Sequence, residues 1–152
     1  MADAALTGAC MCGGVRFSLS EPPLGALYCH CKRCQRRTGT AFSVSALTAP
    51  GSFEITAGEE LVRSWDPGDG GWRKSFCSEC GGQMWTADPE NDELISVRMG
   101  AFDEDPGVRP SAHQFTDYAA PWEPIPDDGL PRFPERLDWS QAPGYDQAGA
   151  GP

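Results

Sequence analysis

No apolar run in this sequence approaches the roughly 20 residues needed to cross a bilayer. The first residues also lack the basic-then-apolar order of a signal peptide, so a cytoplasmic protein with no membrane partner is the expectation. Positive charge is scarce: 12 Lys and Arg stand against 22 Asp and Glu, a net charge of -10. Such a surface repels phosphate backbones and argues against nucleic acid as a partner. Stretches free of chain-breaking residues are lacking too, since 18 Gly and 14 Pro are spread over 152 residues. Many turns and few long helices follow, which predicts a mainly β fold with short helical turns. The length suits a single domain with a modest core.

What the sequence does hold is cysteine, seven in all. In a reducing cytosol, short-spaced thiols point to metal before disulfides, and an odd number leaves one over in any pairing scheme. Cys10 and Cys12 form one close pair and Cys77 and Cys80 another, each followed at once by two glycines. Structural zinc takes four N or S ligands, commonly from two such pairs brought together by the fold. Four thiolates close the coordination sphere, so a structural zinc is expected at Cys10, Cys12, Cys77 and Cys80. Four unrelated core cysteines are the plainer alternative; the matching glycine contexts argue against it.

The stretch Cys29-His30-Cys31-Lys32-Arg33-Cys34 carries the other three thiols. Their side chains are short, so the sulfurs must converge on one small volume. Three protein ligands plus an open position are the pattern of a catalytic zinc. His30, between two ligands, should point away from them, while a distant fourth ligand such as His113 or a carboxylate is left open. A zinc with three thiolates is formally anionic and acidifies water poorly, and a soft site favours a sulfur ligand in the open position. Lys32, Arg33, Arg36 and Arg37 could offset that charge and hold an anionic thiol. On a helix Lys32 and Arg36 share one face and Arg33 and Arg37 another, so one pair is expected to look toward the metal. Lys32, Arg33, Arg36 and Thr38 form the substrate-binding set, with Thr38 or His113 able to handle a proton. A solvated charge run is the alternative for each cation. The substrate implied is a small thiol bearing carboxylates. Three other readings stand beside this one. Cys31 and Cys34 could be a CxxC dithiol, although that motif wants a βαβ setting. The chain could be a non-catalytic zinc module that binds a protein partner. It could also be a metal or redox sensor in which the triplet titrates as reactive thiols.

Along the chain, residues 1 to 9 are small and weakly patterned. Val15, Phe17 and Leu19 alternate with polar residues as a half-buried strand stopped by Pro22-Pro23. Residues 24 to 28 lead into the triplet, and the run from Lys32 reads as one or two helical turns capped at Gly39. Residues 41 to 49 read as a strand, and residues 53 to 56 and 61 to 65 as a hairpin about Gly58. The Gly-rich segment 66 to 71 is a flexible turn. Residues 72 to 76, 94 to 102 and 112 to 118 read as further strands. Residues 1–133 are expected to form the zinc-binding domain. Residues 134–152 are expected to be a Pro-rich acidic tail, partly disordered, draped over the domain without a core of its own and loose after about residue 140.

Cys10-Met11-Cys12-Gly13, then Cys29-His30-Cys31-Lys32-Arg33-Cys34 with Thr38-Gly39, then Phe76-Cys77-Ser78-Glu79-Cys80-Gly81, follow the order CxCG, CHCxxCxxxTG, FCxxCG. That order resembles the glutathione-dependent formaldehyde-activating family, which also includes centromere protein V. The resemblance runs from about residue 8 to about residue 133, taking in His113 and the stretch from Pro121-Trp122 to Asp128-Gly129-Leu130-Pro131. It implies a zinc-containing fold of the β-tent type with two zinc ions, one structural at the four cysteines and one catalytic at the three. It also implies a carbon–sulfur lyase that joins formaldehyde to glutathione, giving S-hydroxymethylglutathione. Cys29, Cys31 and Cys34 would then hold the catalytic zinc that presents the glutathione sulfur to the aldehyde.

Overall fold

Eleven strands, one α-helix and three short 3-10 turns build residues 5–138, the part of the chain that the computed structural model describes. The mainly β expectation holds. Strands β1 (Leu6–Ala9), β2 (Arg16–Leu19) and β5 (Phe53–Ala57) form a small antiparallel sheet in the order β1-β2-β5. The large sheet takes β3 (Gly25–Cys29), β4 (Ser43–Leu47), β6 (Val62–Trp65), β7 (Arg73–Cys77), β8 (Gln83–Ala87), β9 (Ile95–Arg98), β10 (Pro110–Gln114) and β11 (Arg132–Phe133). Its order is β11-β10-β3-β4-β9-β8-β7-β6, parallel at β11-β10-β3 and antiparallel elsewhere.

The main core lies between the two sheets. Val15, Phe17 and Leu19 pack with Ala26, Ala46, Trp85 and Val97 of the large sheet, all buried. Phe17 sits among Phe53, Trp85 and Phe102, with ring centroids 5.5 to 6.1 Å away. Each such side chain contributes roughly 1.5–3 kcal/mol of transfer free energy.

Strand alternation then decides what the other face of the large sheet carries. On β3, Ala26 joins the main core while Leu27 and Cys29 join a second cluster with Ala112 and Leu137. On β4 and β9, Ala46 and Val97 face the main core. Ser43, Ser45, Ser96 and Arg98 are therefore left for the opposite face.

Several expectations are corrected. Residues 53 to 65 are no hairpin: β5 pairs with β2 in the small sheet, and β6 pairs with β7 in the large one. Gly58, at a φ of 74°, turns the chain into a 3-10 turn (Glu59–Leu61) that carries it between sheets. Residues 6 to 9 and 25 to 29, read as unpatterned or as a lead-in, are strands, and so are residues 83 to 87, on which the sequence reading is silent. Their side chains are small or buried on both faces, which erases the period-two signal. The strand expected over 94 to 102 ends at Arg98 and passes into a 3-10 turn, Met99–Ala101. The strand expected over 112 to 118 starts at Pro110 and ends at Gln114. The segment after 133 brings Leu137, 2 % exposed, into the cluster around Cys29. Trp139 and the expected loosening after residue 140 fall outside the described residues. Among the described residues no helix is long and apolar enough to cross a membrane.

Candidate metal centres and the cavity at the cysteine triplet

The two cysteine pairs sit on turns of different sheets. Cys10 and Cys12 follow β1; Cys77 ends β7, and Cys80 lies in the turn before β8. Their four sulfurs lie within 4.8 Å of one another. The contacts Cys10–Cys12 and Cys12–Cys77 are 3.6 and 3.9 Å, close to the ~3.8 Å edge of a tetrahedron with 2.3 Å zinc–sulfur bonds. The following glycines bring amides to the sulfurs: Val15 N–H donates to Cys10 Sγ at 3.2 Å and Gly82 N–H to Cys80 Sγ at 3.4 Å. Amides of Cys12 and Gly82 hold the Cys80 thiol down at about 6. Burial opposes ionisation of Cys10, yet the Val15 amide and the neighbouring thiols bring it below its usual value.

The triplet straddles the start of the helix α1 (Lys32–Thr38). Cys29 ends β3, Cys31 is the residue before the helix, and Cys34 lies in its first turn. Cys31 Sγ caps the helix by accepting the Cys34 N–H at 3.3 Å, where the positive end of the helix favours a thiolate. At the other end Gly39, at a φ of 71°, donates to Gln35 O at 2.8 Å. Gln35 anchors the helix from its buried side, its amide donating to His30 O and Tyr118 O, each at 2.9 Å. The three sulfurs lie within 4.8 Å of one another. Hydrogen bonds from Cys29 and Cys31 hold Cys34 down at about 2, with further help from Arg98 and from Ser43, whose Oγ donates to Cys34 Sγ at 3.1 Å. Cys29 is pushed far up by its hydrogen bonds to Cys31 and Cys34 and by burial. Cys31 gains from Cys29, but Cys34 and burial outweigh this and its thiol also moves up. The triplet thus favours one thiolate and two thiols, a set that a soft cation would complete by displacing the two protons.

His30 points away from the thiols, as its position suggested. It is buried, and its Nε2 lies 2.8 Å from His113 Nδ1; His113 Nε2 lies 2.8 Å from Asp128 Oδ2. An ionised carboxylate only accepts, so His113 Nε2 carries the proton, and His113 Nδ1 accepts from His30 Nε2–H. Both ring nitrogens of His113 are thereby used, and the metal-ligating group at the triplet comprises Cys29, Cys31 and Cys34 without it. Burial, then the neighbouring His113, lowers the His30 pKa and keeps that imidazole neutral.

The triplet opens onto a cavity of about 530 Å³ whose floor is the polar face of the large sheet. Ser43, Ser45, Ser96 and Thr86 line it, with Trp72 and Phe115 as apolar walls. Its charged lining residues are Lys32, Arg33, Lys74, Arg98 and Arg136, and among the described lining residues none is acidic. This is a cationic recess in a chain of net charge -10. Of the residues singled out in the sequence, Lys32 and Arg33 reach the cavity, Arg33 forming a two-point ion pair with Asp69. Arg36, one turn further along the helix from Lys32, is exposed and does not line it. Thr38 borders a separate depression near Met11 and Gly82, and its hydroxyl donates to Cys34 O at 2.8 Å. Arg37 turns inward, donating to Ser75 O and Trp85 O, and burial followed by the nearby Arg98 pushes it down to about 9. Neither helix-face pair therefore looks toward the cavity as a pair. Lys74, Arg98, Ser43 and Ser45 escaped the sequence reading. The trace of Ser43, Ser45 and Arg98 is the polar alternation of β4 and β9, which reads as an ordinary solvent face, and Lys74 lies on β7.

A mainly β frame with two cysteine clusters that could hold metal ions, in numbers and spacings consistent with zinc, is the class that fold and site define. A family model described as "Glutathione-dependent formaldehyde-activating enzyme" matches residues 5–118, and the chain belongs to that family. Among solved structures it is similar to a crystal structure of a Rhodobacter sphaeroides protein, 25% identical, with a TM-score of 0.55 over 68% of this chain and 91% of that one.

Proposed function

We propose that the protein makes or breaks a carbon–sulfur bond between a small carboxylated thiol, glutathione or a relative, and a carbonyl compound such as formaldehyde. One observation carries this reading: three convergent sulfurs stand at the edge of a cavity whose charged lining residues are all cationic. In this reading Cys10, Cys12, Cys77 and Cys80 hold a structural zinc, and Cys29, Cys31 and Cys34 hold a second one with an open position. Bound at the triplet, zinc would supply the Lewis acidity that keeps a thiol sulfur ionised at neutral pH.

The chain's own residues do the rest. Lys32 and Arg33 at the mouth attract carboxylates, and Ser43 fixes the direction of the Cys34 sulfur. Trp72 and Phe115 narrow the recess and limit water around the reacting sulfur. In the forward direction a bond forms between the thiol sulfur and the carbonyl carbon, and the thiol proton ends on the carbonyl oxygen. The reverse reaction breaks that bond and returns the proton to sulfur. Both directions balance without an oxidant.

Zinc content and turnover of Cys34→Ser test the reading together, against an uncatalysed thiol–aldehyde control. Zinc is expected to fall from two per chain to one, with the rate dropping to the control value and the circular dichroism unchanged. A variant that keeps both zincs and full turnover, or one that unfolds, would contradict the division between closed and open sites.

A further inference from the structure

Arg98 ends β9 with 9 % of its surface exposed, and among the described residues no carboxylate pairs with it. Its Nη1 donates to Ser45 Oγ at 2.7 Å, and its buried Nε has no acceptor. A guanidinium offers five donors and a permanent charge. The nearby Cys34 sulfur shares that charge, yet the donors themselves are short of acceptors, and burying them so is unfavourable until an anion completes them. The other cations of the cavity are engaged or solvated. Arg33 pairs with Asp69, Lys74 Nζ donates to Trp72 O and lies 5.9 Å from the Trp65 ring centroid, and Lys32 and Arg136 are exposed.

The floor also gives a measure of distance. Ser43 donates to the Cys34 sulfur and Ser45 accepts from Arg98, and the two serines are successive residues on one face of β4. They are separated by roughly 7 Å, the repeat of an extended strand over two residues. A thiol whose sulfur sits at the triplet would bring a carboxylate to Arg98 if the two groups lie a few bonds apart.

We propose that Arg98, positioned by Ser45 and with Ser96 beside it on β9, is a carboxylate subsite on the cavity floor that selects thiols carrying an acid group close to the sulfur. The proposal rests on the thiol reading of the same cavity. Two parallel N–H donors of the guanidinium fork meet the two oxygens of a carboxylate, which a lysine cannot reproduce.

Calorimetric dissociation constants on the zinc-loaded protein test this with 3-mercaptopropionate, 2-mercaptoethanol and S-methylglutathione. The wild type is expected to bind 3-mercaptopropionate roughly ten- to a hundredfold more tightly than 2-mercaptoethanol, the range of a hydrogen-bonded charge. Arg98→Met should weaken 3-mercaptopropionate far more than 2-mercaptoethanol and so collapse that ratio toward one. Equal weakening of both thiols would mean that Arg98 serves only as countercharge to the cysteines, and an unchanged ratio would mean that it reads nothing; either overturns the proposal. S-methylglutathione separates the two readings, because it keeps both carboxylates but has no ionisable thiol. If it alone binds and is lost in Arg98→Met, Arg98 holds a carboxylate of a ligand that is not a thiol, and the thiol reading falls together with the selection proposed here. Thiols that bind with no preference for the acid leave the thiol reading standing and remove the subsite. Should Arg98→Met fail to fold, Arg98→Lys and Ser45→Ala take its place, each expected to reduce the ratio, and a wild-type ratio in both overturns the proposal.

Discussion

At the scale of single residues, the tightest constraints are glycines on either side of the first cysteine pair and the core beneath it. A Cβ built on Gly58 would stand 2.0 Å from Gly14 O, and the residue has a φ of 74°. Gly58→Ala should destabilise the fold by at least about 2 kcal/mol, from left-handed strain together with displacement of the loop after Cys12; thermal unfolding and zinc retention would register both. At Gly8 a Cβ would meet Phe17 Cζ at 2.2 Å and Ala101 O at 2.5 Å. Phe17→Ala is expected to cost about 3–5 kcal/mol, since the ring has no exposure and partners on both sheets. Phe17 was legible in the sequence because its strand alternates cleanly. Arg98 was not, because one arginine after Ile95-Ser96-Val97 looks like any solvent-facing strand end, and only the sheet order shows that this face is roofed.

Between elements, the contact of His113 with Asp128 ties the loop before β11 to β10. Hydrogen bonds from His113 and the Leu130 amide hold the Asp128 carboxyl below its usual 3.8. A carboxyl depressed in the folded state contributes stability that is complete above the unfolded value and is lost as pH falls through the folded one. The amide proton of Leu130, which donates to Asp128 Oδ1, should therefore keep its chemical shift on acidification to the usual carboxyl value of 3.8 and move below it. In Asp128→Asn that movement should shrink to the part that the neighbouring Asp127 carboxyl causes. The sequence identified the helix with its Gly39 cap and the strand that delivers Cys77, because both carry local signals. It misjudged residues 53–65, since the pairing of β5 with β2 and of β6 with β7 is settled by tertiary packing that no local window contains.

For the molecule as a whole, the four-cysteine cluster joins the end of the small sheet to the β7–β8 turn of the large one. Zinc held at those four sulfurs would contribute about 10–16 kcal/mol of binding free energy, comparable to or larger than the ~5–15 kcal/mol stability of an ordinary domain. Chelation at neutral pH is expected to abolish the near-ultraviolet circular dichroism of the buried aromatics, and zinc to restore it. The order and spacing of the cysteines made this four-sulfur cluster legible in advance. The cavity was not legible, for its cations come from α1, β7, β9 and the segment around residue 136. The contrast between that recess and the acidic exterior bears on traffic. Beyond about a Debye length, roughly 10 Å at 0.1 M salt, the chain's net charge of -10 is largely screened; inside that distance an anionic molecule is repelled by the acidic exterior and is attracted only at the threshold of the recess. Added salt should thus speed arrival while loosening the hold, so that capture and residence respond to ionic strength with opposite signs and the protein works as a turnstile that crowded electrolytes turn faster in both directions.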